Sequence, residues 1–279
     1  MTRALRNSPA LFDSVEQIEG RHATVEEITL VHSPDYLGVI QQVAAAGGGK
    51  LDPDTVASEG SWDAATAGAG CALTAVDRAA DSGARSFCAV RPPGHHALRS
   101  RSMGFCLLGN VAIAARYAQS AHGLERVLIV DWDVHHGNGT QALVEDDPAI
   151  HFVSMHQWPW YPGTGAADDT GLHGNVWNLP MPAGQRAEEY MNTLRRGIDA
   201  ATRGFNPDMV LISAGFDSLA GDPLGGFTLE PDDMATLTRE LVERARTWCG
   251  GRLVSVLEGG YAPDRLAEGC IAHLAALAD

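Results

Sequence analysis

Six short apolar runs, rich in β-branched residues, are spread along the chain at residues 85–90, 126–131, 150–155, 176–179, 209–213 and 252–257. Several are apolar nearly throughout. A strand covered on both faces has no reason to alternate polar with apolar, so these runs predict parallel strands buried on both sides. Between them lie helix-like stretches near residues 61–81, 110–122, 188–203, 231–249 and 263–278. Pro231 and Pro263 suit a first helical turn, where a missing N–H costs little. Alternation of β and α predicts an α/β fold, an open, mostly parallel sheet with helices on both faces. No internal repeat or low-complexity linker interrupts the pattern, so one domain over residues 1–279 is expected.

Composition narrows the classes of function. The formal charge of −15 on 279 residues repels phosphates, which argues against nucleic-acid binding and leaves cationic ligands favoured. The five cysteines (Cys71, Cys88, Cys106, Cys249, Cys270) form no C-x-x-C pair, so free, mostly buried thiols in a reducing compartment are expected. Residues 1–17 lack a continuous apolar core, and no run of about 18 apolar residues occurs. A cytoplasmic protein without a membrane span is the expectation; self-association stays open.

Ligands of an open parallel sheet bind beyond the carboxyl ends of its strands. Polar clusters stand there four times: residues 91–97, 131–140, 214–222 and 258–261. In the second cluster, strand-like alternation puts Asp131, Asp133 and His135 on one side. Carboxylate and imidazole together suit a divalent metal, zinc or iron. One such residue alone is more often a solvated loop acid or a surface histidine. Two Asp and two His within residues 131–136, at the end of an apolar run, need compensation for their burial. Asp217 offers a third ligand, although by itself it also fits a helix cap or a turn. Two Asp and one His would leave a coordination position open, as catalytic sites do. His95 and His96, in a proline–glycine loop, suit proton transfer. Gly259 and Gly260 permit close backbone approach, and the Tyr261 hydroxyl is a candidate donor to an oxyanion.

Residues 91–97, Gly104-Phe105-Cys106, 131–140, 162–165, 214–223 and 258–261 together resemble the zinc-dependent histone deacetylase and acetylpolyamine amidohydrolase family, in the same order across roughly residues 24–270. The resemblance implies an arginase–deacetylase type of fold and removal of an acetyl or other short acyl group from an acyl-lysine side chain, with an acetylated polyamine as the alternative substrate. It implies one Zn²⁺ per chain on Asp133, His135 and Asp217, with Fe²⁺ as an alternative. His96 would be general base and then acid, His95 its electrostatic partner oriented by Asp131, and Tyr261 the oxyanion donor. Gly104, Phe105 and either Tyr161 or Trp160 would line a narrow channel, with Asp54 at its rim. Backbone carbonyls near residues 131–135 and the Ser154 hydroxyl would hold a structural K⁺. Asn138 and Glu258 resemble the class II and bacterial branches, and Leu224 replaces a glutamate of polyamine-specific relatives. The chain starts late against the family pattern, so the usual first strand is expected to be missing. Two other functions compete with this one. An arginase-like enzyme would need two manganese ions and more bridging carboxylates. A non-catalytic acyl-lysine or metabolite-binding protein would keep the pocket alone.

Overall fold

The computed structural model describes residues 8–279, so part of the N-terminal stretch without a continuous apolar core lies outside the described residues. In chain order the elements are α1 (Pro9–Phe12), α2 (Val25–Ile28), α3 (Pro34–Ala45), β1 (Gly48–Asp52), β2 (Thr55–Ser58), α4 (Ser61–Ser82), β3 (Ser86–Cys88), α5 (Asn110–His122), β4 (Val127–Asp131), α6 (Asn138–Val144), β5 (Ile150–Gln157), β6 (Val176–Met181), α7 (Ala187–Ala201), β7 (Met209–Ala214), α8 (Pro231–Cys249), β8 (Leu253–Leu257) and α9 (Pro263–Ala278). Strands β3 to β8 form one sheet in the order β3-β8-β7-β4-β5-β6, every pair parallel. β1 and β2 pair separately as an antiparallel hairpin.

The pleat explains why β4 is apolar throughout. Val127 and Ile129 face a core shared with α4 and α5, while Leu128 and Val130 face a second core shared with α7, α8 and α9. β7 divides in the same way, with Met209 and Leu211 on the first side and Val210 and Ile212 on the second. The predicted α/β architecture, a mostly parallel sheet covered on both faces, is therefore what forms, and it is the arginase–deacetylase arrangement. Among the described residues β3, next to β8 alone, is one edge of the sheet and β6, next to β5 alone, is the other.

The order reverses between β4 and β7. The chain leaves β4 toward β5 and β6, then returns to lay β7 on the other flank of β4. Such a switch point leaves a crevice at the strands' carboxyl ends. β4 ends at Asp131, β7 at Ala214 and β8 at Leu257, directly before three of the polar clusters.

Boundaries moved where local signals were weak. The strand expected over residues 85–90 shrinks to Ser86–Cys88, because an edge strand is paired on one side only. β5 extends to Gln157, carried by pairing with β6. Helix α6, starting at Asn138 with Gly139 and Thr140, has little intrinsic propensity and was not foreseen. α3 was also missed, although Ser33 caps it and Pro34 opens it. All five cysteines are free. No described helix is long and apolar enough to cross a membrane.

Candidate active site

Past Asp131 the chain leaves the strand, yet alternation persists: Asp133 and His135 turn to one point and Asp131 to another. Asp217, arriving from β7, completes a buried trio with Asp133 and His135, their ligand-type atoms all within 4.8 Å of one another. His135 Nδ1 stands 3.0 Å from Asp133 Oδ1 and 3.3 Å from Asp217 Oδ2. Donors about 2.0–2.1 Å from a tetrahedral ion stand roughly 3.3 Å apart, so this spacing fits one small divalent cation.

The orientation of the carboxylates fits as well. Asp217 Oδ1 accepts from Val134 N at 2.9 Å and Asp133 Oδ2 from Gly259 N at 2.8 Å. Asp217 Oδ2 is fully buried and accepts no hydrogen bond. A buried carboxylate oxygen without a donor calls for a cation. The electrostatics agree. Burial opposes a proton on His135, but the adjoining carboxylates of Asp133 and Asp217 raise its pKa to about 10. Burial, then the charge of Asp133, pushes Asp217 up to about 7.

Beside the trio lie two histidines in contact, ring centroids 4.0 Å apart. His95 Nδ1 bonds Asp131 Oδ2 at 3.0 Å, and its Nε2 is 3.7 Å from Asp133 Oδ1. His96 Nδ1 bonds Asn138 Oδ1 at 2.7 Å. Burial opposes charge on His95, yet Asp133 and Asp131 outweigh it and hold its pKa well above the ordinary imidazole value. Burial, then the neighbouring His95 charge, holds His96 well below that value. Groups whose surroundings push them apart in this way suit opposite proton-transfer roles.

Tyr261 follows β8, its ring 5.8 Å from that of Phe105. Burial and the charges of Asp133 and Asp217 raise its pKa, so the hydroxyl keeps its proton and is a donor. Phe105, Trp160 and Tyr161 are all exposed. Tyr161 lies edge-on to His96 and His135, at 5.1 and 6.0 Å. Trp160 Nε1 donates to Leu224 O at 2.8 Å, joining those two expected channel residues. Gly104 touches His96; a Cβ there would stand 2.2 Å from the imidazole, so only glycine lets this loop close on it. Asp54 bonds Gly104 N and Tyr161 Oη, each at 3.0 Å. Ser154 lies opposite Asp131 in the sheet register, and its Oγ bonds His156 Nδ1 at 3.1 Å.

Three supports had no assigned role in the sequence analysis. Glu258 Oε2 accepts from Gly94 N (2.6 Å) and His95 N (3.0 Å), anchoring the histidine loop. Asp222 Oδ2 accepts from Tyr261 N (2.7 Å) and Ala262 N (3.1 Å), and its Oδ1 accepts from Leu224 N (2.9 Å). Thr164 Oγ1 and Gly165 O bond His136 and His156, pinning the loop that carries Trp160 and Tyr161. Only position gave a signal for the first two: a carboxylate directly after a buried strand, and one inside a glycine–proline turn.

Comparison with known proteins agrees with this geometry. An uncharacterized protein of Synechocystis is 44% identical, with 87% of this chain and 78% of that protein covered. Polyamine deacetylase HDAC10 of Homo sapiens is 38% identical over 90% of this chain, which spans 40% of that longer protein. The crystal structure of the HDA15 HD domain superposes with a TM-score of 0.93 at 34% identity, covering 99% of this chain and 79% of that one. A family model described as Histone deacetylase domain matches residues 1–277, and the chain belongs to that histone deacetylase and amidohydrolase superfamily, in its class II-like part.

Proposed function

We propose that the chain is a zinc-dependent deacylase that hydrolyses the amide of an acetyl- or other short acyl-lysine side chain. One observation carries this reading: Asp133, His135 and Asp217 converge on a single buried point beside two histidines of opposite electrostatic bias. Two carboxylates and one imidazole suit zinc, with ferrous iron as the second choice. A bound ion supplies Lewis acidity there, polarising the carbonyl and making water acidic.

The chain's own groups do the rest. The Asn138 oxygen accepts a hydrogen bond from Nδ1–H of His96, which favours the tautomer with its lone pair on Nε2. His96 Nε2 takes a proton from the attacking water and then passes it to the departing amine nitrogen. Asp131 fixes the orientation of His95, whose charge steadies the site during that transfer. Tyr261 donates to the carbonyl oxygen as negative charge develops, a type of contact worth roughly 3 kcal/mol. Phe105 and Tyr161 wall the channel, with Gly104 beside them, Asp54, Trp160 and Leu224 at the rim, and a structural potassium ion near Asp131 and Ser154. We place the reaction in one catalytic domain spanning the chain, in the cytoplasm.

An acetylated polyamine is the second reading. The likeness to a polyamine deacetylase and the charge of −15 favour it, and the apolar Leu224 at the rim favours acyl-lysine. Zinc-loaded protein should be assayed on acetyl-, propionyl- and longer acyl-lysine peptides beside acetylated polyamines. Acetyl-lysine turnover with one zinc per chain is expected. A folded, zinc-replete protein that binds these ligands and cleaves none would be a binding protein instead.

A further inference from the structure

Asp54 stands in the turn of the β1–β2 hairpin, outside the main sheet, and its two carboxyl oxygens reach two different segments. Oδ1 accepts from Gly104 N at 3.0 Å and from the Thr55 hydroxyl at 2.7 Å. Thr55 Oγ1 in turn accepts from Phe105 N at 3.1 Å. Phe105 has φ 66°, a left-handed conformation costly for an aromatic residue. The hairpin therefore holds both amides of a strained turn and fixes where the Phe105 ring stands. Oδ2 accepts from the Tyr161 hydroxyl at 3.0 Å, across 107 residues of sequence. Tyr161 is the ring edge-on to His96 and His135, while Phe105 faces Tyr261. One carboxylate thus ties together two aromatic residues that flank the buried trio.

We propose that the Asp54–Tyr161 hydrogen bond is a strap that sets the width of the channel, making both residues determinants of specificity that admit a slender, unbranched acylamine stem and exclude a wide one. The proposal rests on the deacylase reading above. A phenol–carboxylate bond is charge-assisted and directional. It holds an exposed ring that otherwise meets His96 and His135 edge-on. Phe105 is fixed by its backbone amide and Trp160 by its Nε1 bond to Leu224 O, so the bond to Asp54 is the tie that fixes Tyr161.

Two matched peptides isolate stem width: one with acetyl-lysine, one with acetylated 4-(aminomethyl)phenylalanine, both ending in the same acetamide. The readout is the ratio of kcat/KM, wide over slender. Tyr161→Phe keeps the ring and loses the strap, and should raise the ratio roughly tenfold, the scale on which a pocket wall discriminates. Asp54→Ala should do the same. Asp54→Asn should stay near the parent ratio, because its oxygen still meets Gly104 N and its amide NH₂ donates to the Tyr161 oxygen. The same comparison is made on binding, with alkyl- and aryl-stemmed hydroxamates titrated into zinc-loaded protein. A ratio unmoved by Tyr161→Phe in both readouts overturns the strap and leaves the deacylase reading intact. A parent protein that cleaves neither peptide overturns the deacylase reading, and the hydroxamate ratio alone then decides the strap.

Discussion

Gly259→Ala perturbs the proposed metal centre without replacing a ligand. A Cβ at position 259 would stand 2.1 Å from Asp217 Oδ2 and 2.6 Å from Asp133 Oδ2. Real Cβ atoms essentially never come within 3.0 Å of another heavy atom, so Asp217 Oδ2 has to retreat by at least 3.0 − 2.1 = 0.9 Å. Neither carboxylate swings freely: Asp217 is held by Val134 N, and Asp133 by the amide of Gly259 itself. Metal sites tolerate displacements of about 0.2 Å. A shift several times larger should weaken zinc binding about 100-fold, the upper end for changes behind the ligands and about 2.7 kcal/mol. The cost to the fold itself should be about 1–3 kcal/mol of overpacking. Gly38→Ala is the control. It lies in α3 with nothing within 4 Å of its added Cβ, and should gain about 1 kcal/mol of helix stability while leaving zinc binding unchanged. Zinc affinity is read by competition against a chromogenic chelator, with metal content by mass spectrometry and folding by circular dichroism. A folded Gly259→Ala protein that binds zinc as tightly as the parent would refute the reasoning.

Other outcomes follow from the same contacts. Tyr261→Phe should keep bound zinc and lose roughly 10²–10³-fold in kcat on an acetyl-lysine peptide, and unchanged turnover would remove Tyr261 from the chemistry. Asn138→Asp puts a charge 2.7 Å from His96 Nδ1, so the His96 pKa should rise and the acid limb of the kcat/KM profile should move to higher pH. A limb that stays in place or moves down contradicts the base assignment. Burial lowers His32 to about 4, and its Nε2 accepts from Gly109 N. Above pH 6.5 both folded and unfolded chains hold this ring neutral; below it the unfolded chain takes a proton that the folded chain refuses. His32 therefore subtracts about 1.4 kcal/mol per pH unit as pH falls from about 6.5 to 4. Urea denaturation of chelator-treated protein should show His32→Gln flattening the slope by that amount, and parallel slopes would contradict it.

Much of the fold was legible because apolar strands buried on both faces have few alternatives. The run ending at Asp131 and the run ending in Ser213-Ala214 each needed two covered faces, and both received them. The positions of the clusters followed from strand polarity, which made Asp217 a candidate third ligand, while the full set with Asp133 and His135 came from the family resemblance. What was hidden is pairing at long range. Nothing local in Glu258 says that its carboxylate receives the amides of Gly94 and His95, 164 and 163 residues away. Asp222 and the Tyr261 amide, or Asp54 and Tyr161, are equally silent in sequence because a carboxylate's partner is set by tertiary approach. Helix α6 escaped for the opposite reason. Its glycine and threonine disfavour a helix locally, while Thr140 N bonding His95 O and the contact of Gly139 with His96 hold it in place.

The central claim is most directly tested by anomalous diffraction at the zinc edge from crystals grown with the metal. The account predicts one strong peak per chain, lying among the side chains of Asp133, His135 and Asp217. A well-ordered, zinc-replete crystal whose peak lies away from these three side chains would contradict it.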